Sequence, residues 1–206
     1  MRRFAILGVL VFALLGAGWA ALRGVSWTAS PWAEGARIAD LDGVPIYDNG
    51  PLFAVSHGRN YAPDGYYFGQ KWQCVEFVKR YFYTALGHRM PDVMGHAVSF
   101  FDPGLPHGGF NVKRGMIQFA AGGDERPMAG DLIVFGGAGG YGHVAVVASA
   151  SQDFIVVAQQ NKAPALQRIR LGPGDNGRGV TLADSGLPPL GWLRVPKRAA
   201  QALATP

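Results

Sequence analysis

The sequence predicts an α+β fold, with one helix followed by an antiparallel sheet, and three observations carry that prediction. From Cys74 onward, Phe77, Val78, Tyr81 and Ala85 repeat on one face of a 3.6-residue period. Further on, Leu132–Phe135, Val144–Ala148 and Phe154–Ala158 are apolar runs bounded by turn residues and too short for helices. Thirty glycines and fourteen prolines in 206 residues indicate many turns, which suits a sheet better than a helix bundle.

In chain order, Arg2 and Arg3 precede an apolar run from Phe4 to Leu22 that Arg23 closes. A basic start and an apolar core make a secretory signal or an uncleaved membrane anchor. Gly18-Trp19-Ala20 supplies a small-x-small site for cleavage after Ala20, and no cysteine directly follows the run, which excludes a lipoprotein. The body is therefore expected to be exported: periplasmic, secreted, or anchored to an inner membrane through residues 4–22. Residues 23–40 read as a linker, residues 41–196 as the folded domain, and residues 197–206 as a tail.

Within the domain, Leu41 to Ile46 reads as a short strand, with Asp48-Asn49-Gly50-Pro51 as the turn behind it. Pro63-Asp64-Gly65 is a second turn, leading into a helix from about Gln73 to Leu86 that Gly87 stops. Glu76 and Arg80 form an i,i+4 pair read as lying on its exposed side. Residues 88–128, rich in Gly, Pro, His and Phe, read as irregular structure suited to walling a groove. The three apolar runs, the alternating Leu166–Leu171 and a last run from Leu190 to Val195 make the sheet.

Charge and composition exclude several functions. The net charge of +5 falls to +3 without Arg2 and Arg3, and no dense Lys/Arg cluster marks a nucleic-acid footprint. A mild basic excess suits an anionic cell-wall or membrane surface. No His-Glu-x-x-His, Cys-x-x-Cys or close His pair is present, so neither a metal nor another cofactor is expected. The run Gly136 to Gly142 precedes a β-branched stretch rather than a helix, which makes it a hairpin turn and not a phosphate loop. A monomer is expected.

Cys74 is the only cysteine, so no disulfide within the chain can form. A thiol in the first turn of a helix feels unpaired N–H groups and the positive end of the macrodipole, which favour the thiolate. The other reading is a buried core thiol, and position alone does not separate the two. A nucleophile needs a base brought close by the fold. Among five histidines, His57, His88, His96 and His107 read as surface or turn residues, whereas His143 opens an apolar strand beside the glycine-rich turn. A hairpin turning near Ser151 brings residue 143 opposite about 159, where Gln159 or Asn161 could accept the imidazole N–H.

The run Tyr67-Phe68-Gly69-Gln70-Lys71-Trp72-Gln73-Cys74-Val75-Glu76-Phe77 resembles the nucleophile segment of the CHAP family of cysteine amidohydrolases and peptidases, which are NlpC/P60-like and papain-like. It resembles in particular the amidase domains of glutathionylspermidine synthetase/amidases. Pro127 to Phe135, with Gly130-Asp131 entering a strand, and Gly142-His143-Val144-Ala145-Val146-Val147 resemble the family's histidine segment. The resemblance covers roughly residues 47 to 170. It implies a papain-like CHAP fold in which a helix carrying the cysteine packs on an antiparallel sheet. It also implies that Cys74 attacks an amide carbonyl and that His143 acts as general base and acid. The family's third member is usually Glu or Asn, often in Glu-x-Asn; here Gln159-Gln160-Asn161 stands instead, with Gln159 at the Glu position and Asn161 expected to share the orienting role. Gln73 and the backbone N–H of Cys74 are the expected oxyanion donors, and Tyr67, Trp72 and Tyr141 the expected substrate contacts. The implied function is an exported amidase or endopeptidase acting on peptide-like amides, with peptidoglycan as the expected substrate. The alternatives are a glutathionylspermidine-type small-amide amidase and a non-catalytic wall-binding module.

Overall fold

The computed structural model of the chain describes residues 34–174 and 177–197. The apolar segment 1–22, the linker as far as residue 33 and the tail from residue 198 lie outside the described residues. Among the described residues no helix is long and apolar enough to cross a membrane.

The first elements are β1 (Arg37–Leu41), β2 (Val44–Tyr47), β3 (Arg59–Tyr61), β4 (Tyr67–Gln70) and helix α1 (Cys74–Leu86). After a 3₁₀ turn at Ala97–Phe100 come β5 (Gly109–Asn111), β6 (Met116–Ala120), β7 (Leu132–Phe135) and β8 (His143–Ala150). The chain continues with β9 (Phe154–Ala158), β10 (Leu166–Gly172), β11 (Thr181–Leu182) and β12 (Pro189–Arg194). One eight-stranded sheet has the order β11-β10-β9-β8-β7-β12-β6-β5, every pair antiparallel, beside the small hairpins β1–β2 and β3–β4. The α+β expectation therefore holds, with one α-helix among the described residues packed on a largely antiparallel sheet.

The central strands are apolar on both faces because both faces are covered. Leu132, Val134, Val144 and Val146 join Phe77, Val78, Tyr81 and Phe82 of α1 in one core, which the β1–β2 hairpin closes with Ala39, Leu41, Val44 and Ile46. The alternate residues Ile133, Phe135, Ala145 and Val147 meet Ile155, Val157, Ile169 and Trp192 in a second. Strands buried on two sides read as unbroken apolar runs, and this is how β7 and β8 look in the sequence.

Several expectations need correction. Residues 41–46 are not one strand: Asp42 and Gly43 both take positive φ (49° and 79°), the type I′ geometry that folds β1 back onto β2. Residues 37–40, expected to be linker, belong to β1. Glu76 is not on the exposed side of α1 but fully buried. Its carboxylate accepts from Arg80 Nε (2.6 Å), Asn60 Nδ2 (2.7 Å) and Gln160 Nε2 (2.7 Å), so the buried charge is paired and hydrogen-bonded at once. His88 is likewise buried, with Nε2 2.8 Å from the Arg114 carbonyl. The stretch 88–128, read as irregular throughout, contains the 3₁₀ turn, the edge strand β5 and its neighbour β6.

Candidate active site

Three pieces of chain meet at the N-terminus of α1. Cys74 is the first residue of the helix and 9% exposed, while His143, the first residue of β8, is 6% exposed. Both line one cavity of about 900 Å³. Backbone N–H groups of Val144, the neighbour of His143, and of Val75 and Cys74 itself lie around the sulfur and favour its thiolate. Gly142 makes this junction possible. Its φ is +67°, and a Cβ there would lie 2.5 Å from the Phe135 carbonyl oxygen and 3.0 Å from the Val98 nitrogen.

Gln159 fixes the His143 tautomer. Its Nε2 donates to the Pro164 carbonyl (2.9 Å) and to Gln167 Oε1 (3.1 Å), groups that can only accept. The amide oxygen therefore faces His143, with Oε1 2.9 Å from Nε2. An oxygen acceptor there requires the proton on Nε2 and leaves Nδ1 with the lone pair a base needs. Continuing the register Val146↔Ala158 would set residue 161, not 159, opposite His143, because the hairpin turns beyond Ser151 and bulges at Ala148. Gln159 reaches the imidazole diagonally, after β9 has left the ladder.

The two titrating groups of the site are buried, and they feel this in opposite directions. Burial pushes the Cys74 thiol up, against the pull of the three N–H donors. Burial pushes His143 down to about 4; the Gln159 hydrogen bond opposes this and the Lys162 charge adds to it. Both shifts favour the neutral thiol–imidazole pair over thiolate–imidazolium.

Asn161, expected to share the orienting of His143, instead serves Gln73. Its Nδ2 donates to Gln73 Oε1 (2.6 Å) and the Phe53 carbonyl (2.7 Å), and its Oδ1 accepts from Asn49 Nδ2 (3.0 Å). Gln73 in turn spends both amide hydrogens on the carbonyls of Phe53 and Val55, each at 2.9 Å, so this side chain offers the cavity no free donor in this conformation. Tyr67 and Tyr141 line the cavity, but Trp72 is not among its lining residues. The Trp72 ring packs on Tyr47 instead, with centroids 4.4 Å apart.

Residues not singled out in the sequence complete the site. Gln160 ties α1 to the end of β9 through Glu76 and the Gln73 carbonyl (3.0 Å). The opposite wall, Val93 to Ala97, carries His96, whose ring meets Tyr141 edge-on at 4.7 Å. Two buried cations hold that wall by its carbonyls. Lys79 Nζ bonds Tyr67 and Val93, and Arg114 bonds Asp92, Met94 and Ser99. Asp131 of the Gly-Asp pair is structural: Arg194 Nε and Nη2 hold its two oxygens at 2.8 Å each, clamping β12 to the start of β7.

The bifunctional glutathionylspermidine synthetase/amidase of Escherichia coli (strain K12) is 33% identical over 107 residues, 50% of this chain and 17% of that protein. The protein of the same name from Shigella flexneri matches equally. The chain thus spans about a sixth of the length of these relatives. The CHAP domain family matches residues 65–161, from just before the Cys74 helix to just beyond Gln159. This chain carries a CHAP domain.

Proposed function

We propose that the chain is an exported cysteine amidase or endopeptidase that hydrolyses peptide-like amides, with peptidoglycan peptides as its substrate. The CHAP domain and the amidase relatives support a hydrolase. One observation carries the finer reading: Cys74 and His143 share a cavity, and Gln159 presents an oxygen to His143 Nε2 at 2.9 Å. From the neutral pair, Nδ1 takes the thiol proton as sulfur bonds the amide carbon. The backbone N–H of Cys74 faces the developing oxyanion at the helix N-terminus. His143 then protonates the amine as the C–N bond breaks, and water, deprotonated by His143, cleaves the thioester. Export rests on the basic-apolar start of the chain, and the wall substrate on export and mild positive charge.

The test is digestion of purified peptidoglycan with mass spectrometry of the products, beside Cys74→Ala. New amine and carboxyl ends made by the native protein alone are the expected result, and full activity in Cys74→Ala would sink the proposal. Similarity to a glutathionylspermidine amidase favours a second reading, a small polyamine or γ-glutamyl amide as substrate. A panel setting glutathionylspermidine against muropeptides separates the two. Cleavage of neither would leave a non-catalytic wall-binding module.

A further inference from the structure

The cavity beside Cys74 carries one permanent charge. Among its described lining residues none is a carboxylate, and Lys162 is the single lysine or arginine. The remaining walls are mostly apolar or aromatic, with Phe53, Met94 and Tyr141 at the rim. Lys162 Nζ donates to Gln167 Oε1 at 2.8 Å, the same oxygen that takes Gln159 Nε2, and Gln159 Oε1 faces His143. The ammonium thus stands at the catalytic end of the cavity, near enough for its charge to be felt at His143. Gln167 uses one of its three donors, and two remain for a ligand. On the side of the Cys74 cavity this half-buried ammonium has no acidic neighbour, Asp48 lying in the second cavity that Lys162 also borders, and that side is a site for an anion.

We infer that Lys162 is a specificity-determining residue that selects amide substrates carrying a carboxylate next to the scissile bond. The inference rests on Cys74 being the nucleophile and narrows the substrate class. It also gives the carboxylate a second effect. Seated against Lys162, it offsets the positive charge that opposes His143 protonation, and so supplies the negative charge that Gln159 lacks.

The experiment compares alkylation of Cys74 in the full chain by iodoacetate and by iodoacetamide, reagents that differ in one carboxylate. The ratio of the two rates is expected to exceed that of N-acetylcysteine. It should fall by roughly tenfold in Lys162→Met, the size of one charge-assisted hydrogen bond, and persist in Lys162→Arg. A general loss of nucleophilicity from disturbing Gln167 would slow both reagents alike and leave the ratio unchanged. An equal ratio in the native protein and Lys162→Met overturns the inference. If neither reagent reacts, the nucleophile reading fails, and calorimetry on Cys74→Ala decides the Lys162 question separately. Acetyl-alanyl-alanine should bind roughly tenfold tighter than its C-terminal amide, with the preference gone in Cys74→Ala/Lys162→Met. Equal binding of acid and amide to Cys74→Ala overturns the carboxylate site.

Discussion

A glutamine can hold an imidazole in one tautomer only if its own amide is held, and Pro164 and Gln167 do this for Gln159. A carboxylate at this position would turn its second oxygen onto two acceptors. Gln159→Glu is therefore predicted to have two opposed effects. The new charge beside Nε2 should raise the His143 titration above its native value of about 4, read by imidazole NMR shifts. Stability should fall by about 1–3 kcal/mol, read by urea unfolding, because repelled lone pairs replace two hydrogen bonds. Gln159→Leu, which removes the acceptor, should instead lower kcat by on the order of 10²-fold with little change in KM. If Gln159→Leu kept native turnover on a substrate cleaved by the native protein, orientation of His143 would not matter to catalysis.

At the scale of elements, the site depends on how α1 meets the end of β9, and Gln160 is the fastener. Its side chain takes the Tyr47 N–H at 2.9 Å and donates to Glu76 and to the Gln73 carbonyl. Gln160→Leu is predicted to leave the Tyr47 N–H without its acceptor and the Glu76 carboxylate with only Arg80 and Asn60 as donors, and to cost about 1–3 kcal/mol in urea unfolding. A loss below about 1 kcal/mol would mean the network is not fastening the two elements. This scale also separates what could be read in the sequence from what could not. The α1 period, the turn-bounded apolar runs and the local Cys and His segments are written within a few residues of one another, and they led to the fold and to Cys74, His143 and Gln159. Glu76 looked solvated because its (i,i+4) partner was visible, whereas Asn60 and Gln160 lie far off in sequence. Asn161 is expected at His143 from the family's Glu-x-Asn pattern, but the chain leaves the ladder after Ala158 and the Asn161 side chain bonds Gln73 and the Phe53 carbonyl. Asp42-Gly43 is a local turn signal inside the run 41–46, and it divides that run into β1 and β2.

At the scale of the whole molecule, the walls of the cavity bury basic groups, and this makes stability depend on pH in a definite direction. His143 is pushed down to about 4 from 6.5, and Lys79 to about 8 from 10.5, burial being the largest cause in each case. Where such a base binds fewer protons folded than unfolded, stability rises with pH between its folded and unfolded pKa values. Stability should therefore increase from pH 4 to 6.5 through His143, lie flatter near neutrality, and increase again above pH 8 through Lys79. Each step is about 3 kcal/mol if the full shift is expressed. Buried His88, also pushed down by desolvation, adds to the acid step. Tyr66, whose hydroxyl lies beside Met90 and whose pKa burial raises above 10, acts in the opposite sense only at still higher pH. Between pH 8 and 10 the buried Cys74 thiol, pushed up, acts against the lysine and Lys162, pushed down, acts with it, so the lysine's step is read as the difference between the native protein and Lys79→Met. Urea midpoints across this range should show both rises in the native protein. Lys79→Met should lose the alkaline rise while keeping the acid one, and His143→Gln should shrink the acid rise while keeping the alkaline one. Equal slopes from pH 8 to 10 in the native protein and in Lys79→Met would mean that Lys79 does not hold the Val93 wall as a buried cation. The Tyr67 and Val93 carbonyls would then need other donors.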